Sequence, residues 1–409
     1  MQWRDCCFER TISLPSAPAG QNIGQSQQAI YWFFKYLVTM ARLQRRFRMN
    51  RRFLASPCAL AAAIMPLAPV LAMAQSGLDA VEKVASSLAP KNWAPPRTAD
   101  GRPDLQGIFT NGILTPLERP AEFAGKPFFT EEEAAAFEKR VVQQRNADRR
   151  LTGEADVRRA YNDAWWDFGT KVAKTRQTSM IVDPPDGRIP PLTPEAQKRV
   201  ADRARQIKEK CGESGRVCPV GIDGQPSLAD GPKDRPYQER CLLWPQAGPP
   251  MLPDAYNNNY WIVQTADYVM ISIEAIHDVR IIPLDGPMDG RPHLEQSIRQ
   301  WMGDPRGRWE GNTLVVDTTN FSDATNFRNA GRNMHLTERF TLTDPDTLLY
   351  EFTVDDPTTF TRPWSAAIPM VRTAGPIYEY ACHEGNYGIA NVLSGARAQE
   401  QKRAVSPAK

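Results

Sequence analysis

The sequence predicts an α+β protein: an antiparallel β barrel or sandwich in the C-terminal half, with a helical, coil-rich N-terminal half packed on it. Three observations carry this. Ile298–Phe321 reads as strand, tight turn and strand, with Glu310-Gly311-Asn312 at the turn because Gly and Asn tolerate positive φ. From Asn257 onward, eight to ten short alternating stretches follow one another closely, as in a sandwich or closed barrel. Before them, two capped helical stretches stand among Gly- and Pro-rich coil.

In chain order, Met49–Ala74 comes first. It has a positive start at Arg51 and Arg52, a mostly apolar middle over Phe53–Val70, and a small-x-small end at Ala72-Met73-Ala74. That is the pattern of a secretory signal peptide cleaved before Gln75. Residues 1–48 are basic and unpatterned, and are expected to be an extension from a start assigned too far upstream; a long membrane-inserting leader is the alternative. The expected plan is then a linker over 75–94, one α+β domain over 95–392 with its β core at 257–383, and a polar tail over 393–409. The leader and upstream stretch hold nine basic and two acidic residues, which leaves 41 basic and 45 acidic residues after cleavage. The mature chain therefore has no basic excess to suggest nucleic acid. It also has no further apolar run long enough to span a bilayer.

Four cysteines follow the signal: Cys211, Cys218, Cys241 and Cys382. An even count in an exported chain predicts two disulfides, and the spacing favours Cys211–Cys218 and Cys241–Cys382. A zinc site is the rival, though the spacing fits no common zinc pattern.

Asp104–Asn111 alternates as a first strand, and its Gly107 marks a bulge or a close backbone approach. Phe128–Arg150 is a helix with a capping box at Thr130–Glu133, Phe129 as a hydrophobic staple, and Ala134, Phe137 and Val141 as its buried stripe. Trp165 and Trp166 make the next stretch aromatic. Ser179–Pro191 reads as two short strands about a turn, and Thr193 caps a helix over Pro194–Glu209. Cys211–Pro250 is cross-linked coil. The expected strands then run Tyr260–Gln264, Tyr268–Glu274, Val279–Leu284, the Ile298–Thr319 pair, His335–Thr343, Thr347–Val354, Trp364–Val371 and Ile377–Cys382.

Several stretches, among them Pro96–Gly112, Glu239–Tyr260, RGRWEGNTLVVDTTNF (306–321), HLTERF (335–340) and YEYACHEGNY (378–387), resemble an uncharacterised family of exported bacterial proteins. The resemblance covers most of the chain after residue 90 and implies export without naming a reaction. The repeated hairpins are loosely similar to lipocalin-like barrels, which implies an enclosed apolar ligand.

No GxSxG, P-loop, dinucleotide or zincin motif is present, so neither a cofactor nor a metal is expected. The candidate chemistry lies in polar residues among apolar strands. His335 and Arg339 share one strand face, and Glu351 falls on the matching face of the next strand. That face is either the solvent face or a barrel lumen lined by all three. His383 and Glu384 are an acid–base candidate if the chain bends at Gly385. Tyr256, Asn258 and Tyr260 form a candidate ligand rim. His277, Arg280, Trp301, Tyr378 and Tyr387 complete the candidate ligand-binding set. His293 is expected to be solvated, and Asp317 to pair with Arg280 or Arg299. His335, His383 and Tyr256 are expected to face one opening. The leading expectation is a periplasmic or secreted protein that binds a small, partly apolar or aromatic molecule. The alternative is a cofactor-free hydrolase, lyase or isomerase with a His/carboxylate pair, and a third is a structural envelope protein. Oligomeric state is left open.

Overall fold

The structure, a computed structural model, describes residues 93–405 together with Val84 and Leu88, except 151, 154–155, 157–162, 213–215, 222–224 and 285–291. The chain divides into two units, residues 1–69 and 70–409, and every described residue belongs to the second. The predicted leader, upstream stretch and nearly all of the linker lie outside the described residues. Among those described, no helix is long and apolar enough to cross a membrane.

Ten strands form one antiparallel sheet: β1 (Gly107–Thr110), β2 (Ile181–Asp183), β3 (Asn259–Gln264), β4 (Tyr268–Ile273), β5 (Val279–Pro283), β6 (Asp304–Glu310), β7 (Thr313–Thr319), β8 (His335–Asp344), β9 (Thr347–Asp355) and β10 (Trp364–Thr373). Their order is β5-β4-β3-β1-β10-β9-β8-β7-β6. One edge of β10 is shared, taken by β2 at its start and by β1 at its end. The sheet curls until its outermost strands meet, but among the described residues only one bridge, from Leu284 just after β5 to Gly307, joins them. The expected closed barrel is therefore an open sheet. Gly307 permits the approach, since a Cβ there would sit 2.8 Å from Leu284 Cδ2 and 2.9 Å from Ile282 Cγ2.

Strict alternation sorts the strands' side chains. On β8, Leu336, Glu338, Phe340 and Leu342 point inward and His335, Thr337, Arg339 and Thr341 outward. On β9, Tyr350, Phe352 and Val354 are inward. The interior is packed rather than hollow. Phe340, Tyr350, Phe352 and Trp364 form a ladder of ring contacts at 5.0, 5.8 and 5.7 Å, and each ring is essentially inaccessible. Ile271, Ile282, Leu314, Leu336 and Ile368 fill the space around them. Gly107 adopts φ +140° beside the Arg372 guanidinium, which lies over the Phe109 ring and bonds the Gln106 carbonyl. That is the close approach its place in a strand foretells.

Among the described residues, three α-helices lie outside the sheet: α1 (Glu131–Arg145), α2 (Pro194–Gly212) and α3 (Gly388–Val405). The Thr130 capping box forms on both sides, and Thr193 accepts from the Ala196 amide. Both expected disulfides are present, with Cα separations of 5.6 and 5.9 Å.

Other expectations differ as well. Ile377–Cys382 leaves the sheet as coil, because Gly375 turns at φ +73° and Cys382 is tied to Cys241. Ile298–Gly303 precedes β6 without joining it. The polar tail is helical as far as Val405: α3 docks Ala396 against Val217 and Ala229, and Glu400 accepts from the Val217 amide.

Candidate functional site

The outer face of β7 and β8 gathers the molecule's histidine–carboxylate chemistry. Register pairs Asp317 with Thr337 and His335 with Asp355, so His335 stands diagonal to Asp317 on the same face. Its Nε2 lies 2.5 Å from Asp317 Oδ2. The other carboxylate oxygen, Oδ1, lies 2.8 Å from His293 Nε2, and His293 Nδ1 lies 3.0 Å from Asp304 Oδ2. Asp304 also accepts from the Leu294 amide and from Arg306. The result is a chain Asp304–His293–Asp317–His335, half exposed at its His335 end.

The hydrogen bond to Asp317 raises the pKa of His335; partial burial opposes this, and the Asp317 and Asp355 charges reinforce it. Burial pushes Asp317 up, but the bonds from His335 and His293 outweigh it and hold the carboxyl below its ordinary value. His335 Nδ1 has no hydrogen-bond partner among the described residues. A carboxylate-oriented imidazole with one free nitrogen is equipped to accept and return a proton. Among the described residues, no group of three or more His, Cys, Asp or Glu is placed to hold a metal ion.

The other predicted residues are distributed as follows. Arg339 and Glu351 share the outer face with His335 rather than a lumen: Arg339 pairs with Glu310, and Glu351 is buried with Oε1 unpartnered. Arg280 and Tyr260 do point inward. Arg280 is not the partner of Asp317; it forms a bidentate pair with Glu338, both fully buried, at 2.9 and 2.5 Å. Tyr350 donates to the same carboxylate at 2.7 Å. Arg299 instead caps the Phe321 and Arg332 carbonyls. Asn258 is consumed by the 254–258 turn and the Asp167 carbonyl.

Tyr256 belongs to an aromatic cluster, with Trp166 and Trp244 each 5.9 Å away and Tyr380 stacked at 6.3 Å. His277 reaches this cluster by its bond to the Tyr380 carbonyl, while the Tyr378 amide donates to Glu274. His383, Glu384 and Tyr387 are exposed beyond them, and no side-chain bond joins His383 to Glu384 among the described residues. Gly385 does bend the chain, at φ +67°. Trp301 packs near Tyr237, 6.4 Å away, apart from the histidine chain's bonds. An open groove of about 550 Å³ beside α1 gathers none of the predicted site residues.

Sequence reasoning missed His293 and Asp304. Both stand in loop-like or strand-opening positions, and only the β7–β8 register brings them to His335. No family model, curated protein or solved structure matches the chain.

Proposed function

We propose that this is an exported, cofactor-free enzyme of the hydrolase, lyase or isomerase class, with His335 as its acid–base residue. The observation that carries the reading is the Asp317–His335 bond, with no partner for Nδ1 among the described residues. His335 takes a proton at Nδ1, Asp317 stabilises the imidazolium, and His293, held by Asp304, fixes Asp317. Export is supported by the signal-like leader and the two disulfides. We read the curled sheet as an open relative of lipocalin-like barrels. The test is a screen of aryl esters and enolisable ketones with purified protein. Activity that falls by about a hundredfold or more in His335→Gln, with the fold intact, supports the role. Activity indifferent to that change removes it.

A binding role for a small, partly aromatic molecule is the second reading. The half-buried rings of Trp166, Tyr256 and Tyr380 beside buried Trp244 favour it.

A further inference from the structure

The aromatic cluster adjoins a polar network that is saturated except at three atoms. Tyr260 Oη donates to the Gln246 carbonyl at 3.1 Å and accepts from Asn111 Nδ2 at 3.0 Å. Gln246 Nε2 donates to the Tyr256 carbonyl at 2.6 Å. These bonds fix both amide orientations. A backbone carbonyl can only accept, so Tyr260 spends its proton on Gln246 and Asn111 must face it with its amino group. The orphaned atoms are therefore two acceptors, Asn111 Oδ1 and Gln246 Oε1. A third orphan, the donor Trp244 Nε1, lies two residues along. Asn111 is 0% exposed, Gln246 1% and Trp244 8%. Buried polar atoms are nearly always paired, and Tyr260 links Asn111 to the 244–246 segment that carries the other two orphans.

The chemistry of an occupant follows. It must donate twice and accept once. A carboxylate cannot donate to the two carbonyls, and an ammonium cannot accept from the indole. Arg280, the buried cation near Tyr260, is already neutralised by Glu338. A primary carboxamide supplies two N–H donors and one carbonyl, and an aromatic body on it would meet the rings of Trp244, Tyr256 and Tyr380. We propose that Asn111, Gln246 and Trp244 form a subsite for the primary carboxamide of a small aromatic ligand.

This rests on the binding reading of the ring cluster, and the probes separate the two. Benzamide, its near-isostere acetophenone and benzoate are titrated by calorimetry against the full chain. Benzamide should bind about tenfold more tightly than acetophenone, the effect of lost hydrogen bonds, and benzoate more weakly than either. Trp244→Phe, with its melting temperature checked, should weaken benzamide several-fold. Equal affinity for benzamide and acetophenone overturns the carboxamide assignment and leaves the ring reading standing. No binding of any probe overturns both. A crystal structure with one ordered water on the three atoms that benzamide does not displace also overturns the assignment.

Discussion

Glu351 offers a test with a worked magnitude. Its carboxyl lies 4% exposed on the outer side of β9, with Oε1 unpartnered. Burial raises its pKa from the ordinary 4.5 to about 8, against a smaller opposing pull from Arg339. An acid whose folded value lies above its unfolded value stabilises the fold fully below the unfolded pKa, and this stabilisation is lost as pH rises through the folded one. At 1.36 kcal/mol per unit, the loss between about pH 5 and pH 7 comes to about 2–3 kcal/mol. Glu351→Gln keeps the shape and removes the titration. Urea unfolding of both proteins at several pH values should show the native chain losing about 2–3 kcal/mol relative to the variant over that range. Parallel pH profiles for the two would show that the carboxyl is solvated, and the reasoning from burial would fail. The same profile bears on function: a carboxyl that is neutral at neutral pH donates a hydrogen bond and is no general base.

The buried Arg280–Glu338 pair gives a second expectation. Arg280→Met strands a buried carboxylate and should cost about 3–5 kcal/mol, whereas Arg280→Met/Glu338→Gln should recover much of it; a double variant no more stable than the single would refute the pairing argument. His335, whose folded pKa is raised, contributes stability present below its unfolded value and lost as pH rises through the folded one. Its side chain is 45% exposed, so solvent screening keeps the effect below about 1 kcal/mol. NMR titration should find that Asp317→Asn lowers the His335 pKa, and an unmoved value would break the link between them. Cys241→Ser should destabilise the chain by about 2–5 kcal/mol in oxidising buffer, and by nothing further in reductant.

Period-two alternation made the β region legible, strand by strand, from Tyr260 to Val371. It even separated Leu336, Glu338 and Phe340 from His335 and Arg339. What alternation does not carry is which face is inside. The charged face lines no lumen, because the packed rings of Phe340, Tyr350, Phe352 and Trp364 take the interior. The caps at Thr130 and Thr193 were readable because they are local. The site was less so, since His293, Asp304, Asp317 and His335 meet only through strand register and a loop return. Asp317's need for a partner was readable, but the partner's identity was not. Likewise Ile377–Cys382 has strand-like residues, and the cross-link to Cys241 takes it elsewhere.

The meeting of β5 and β6 has a mechanical consequence. Every other neighbouring pair along the sheet is laced by several backbone bonds, while here, among the described residues, a single bridge at Leu284 and Gly307 holds the margin. Any widening of the wall should start along this line, where the fewest bonds need to part. Amide exchange along β5 and β6 should then run ahead of that in β8 and β9, each flanked on both sides. A residue with a side chain at 307 would act as a wedge driven into that line, prying the wall apart without touching the interior's aromatic ladder.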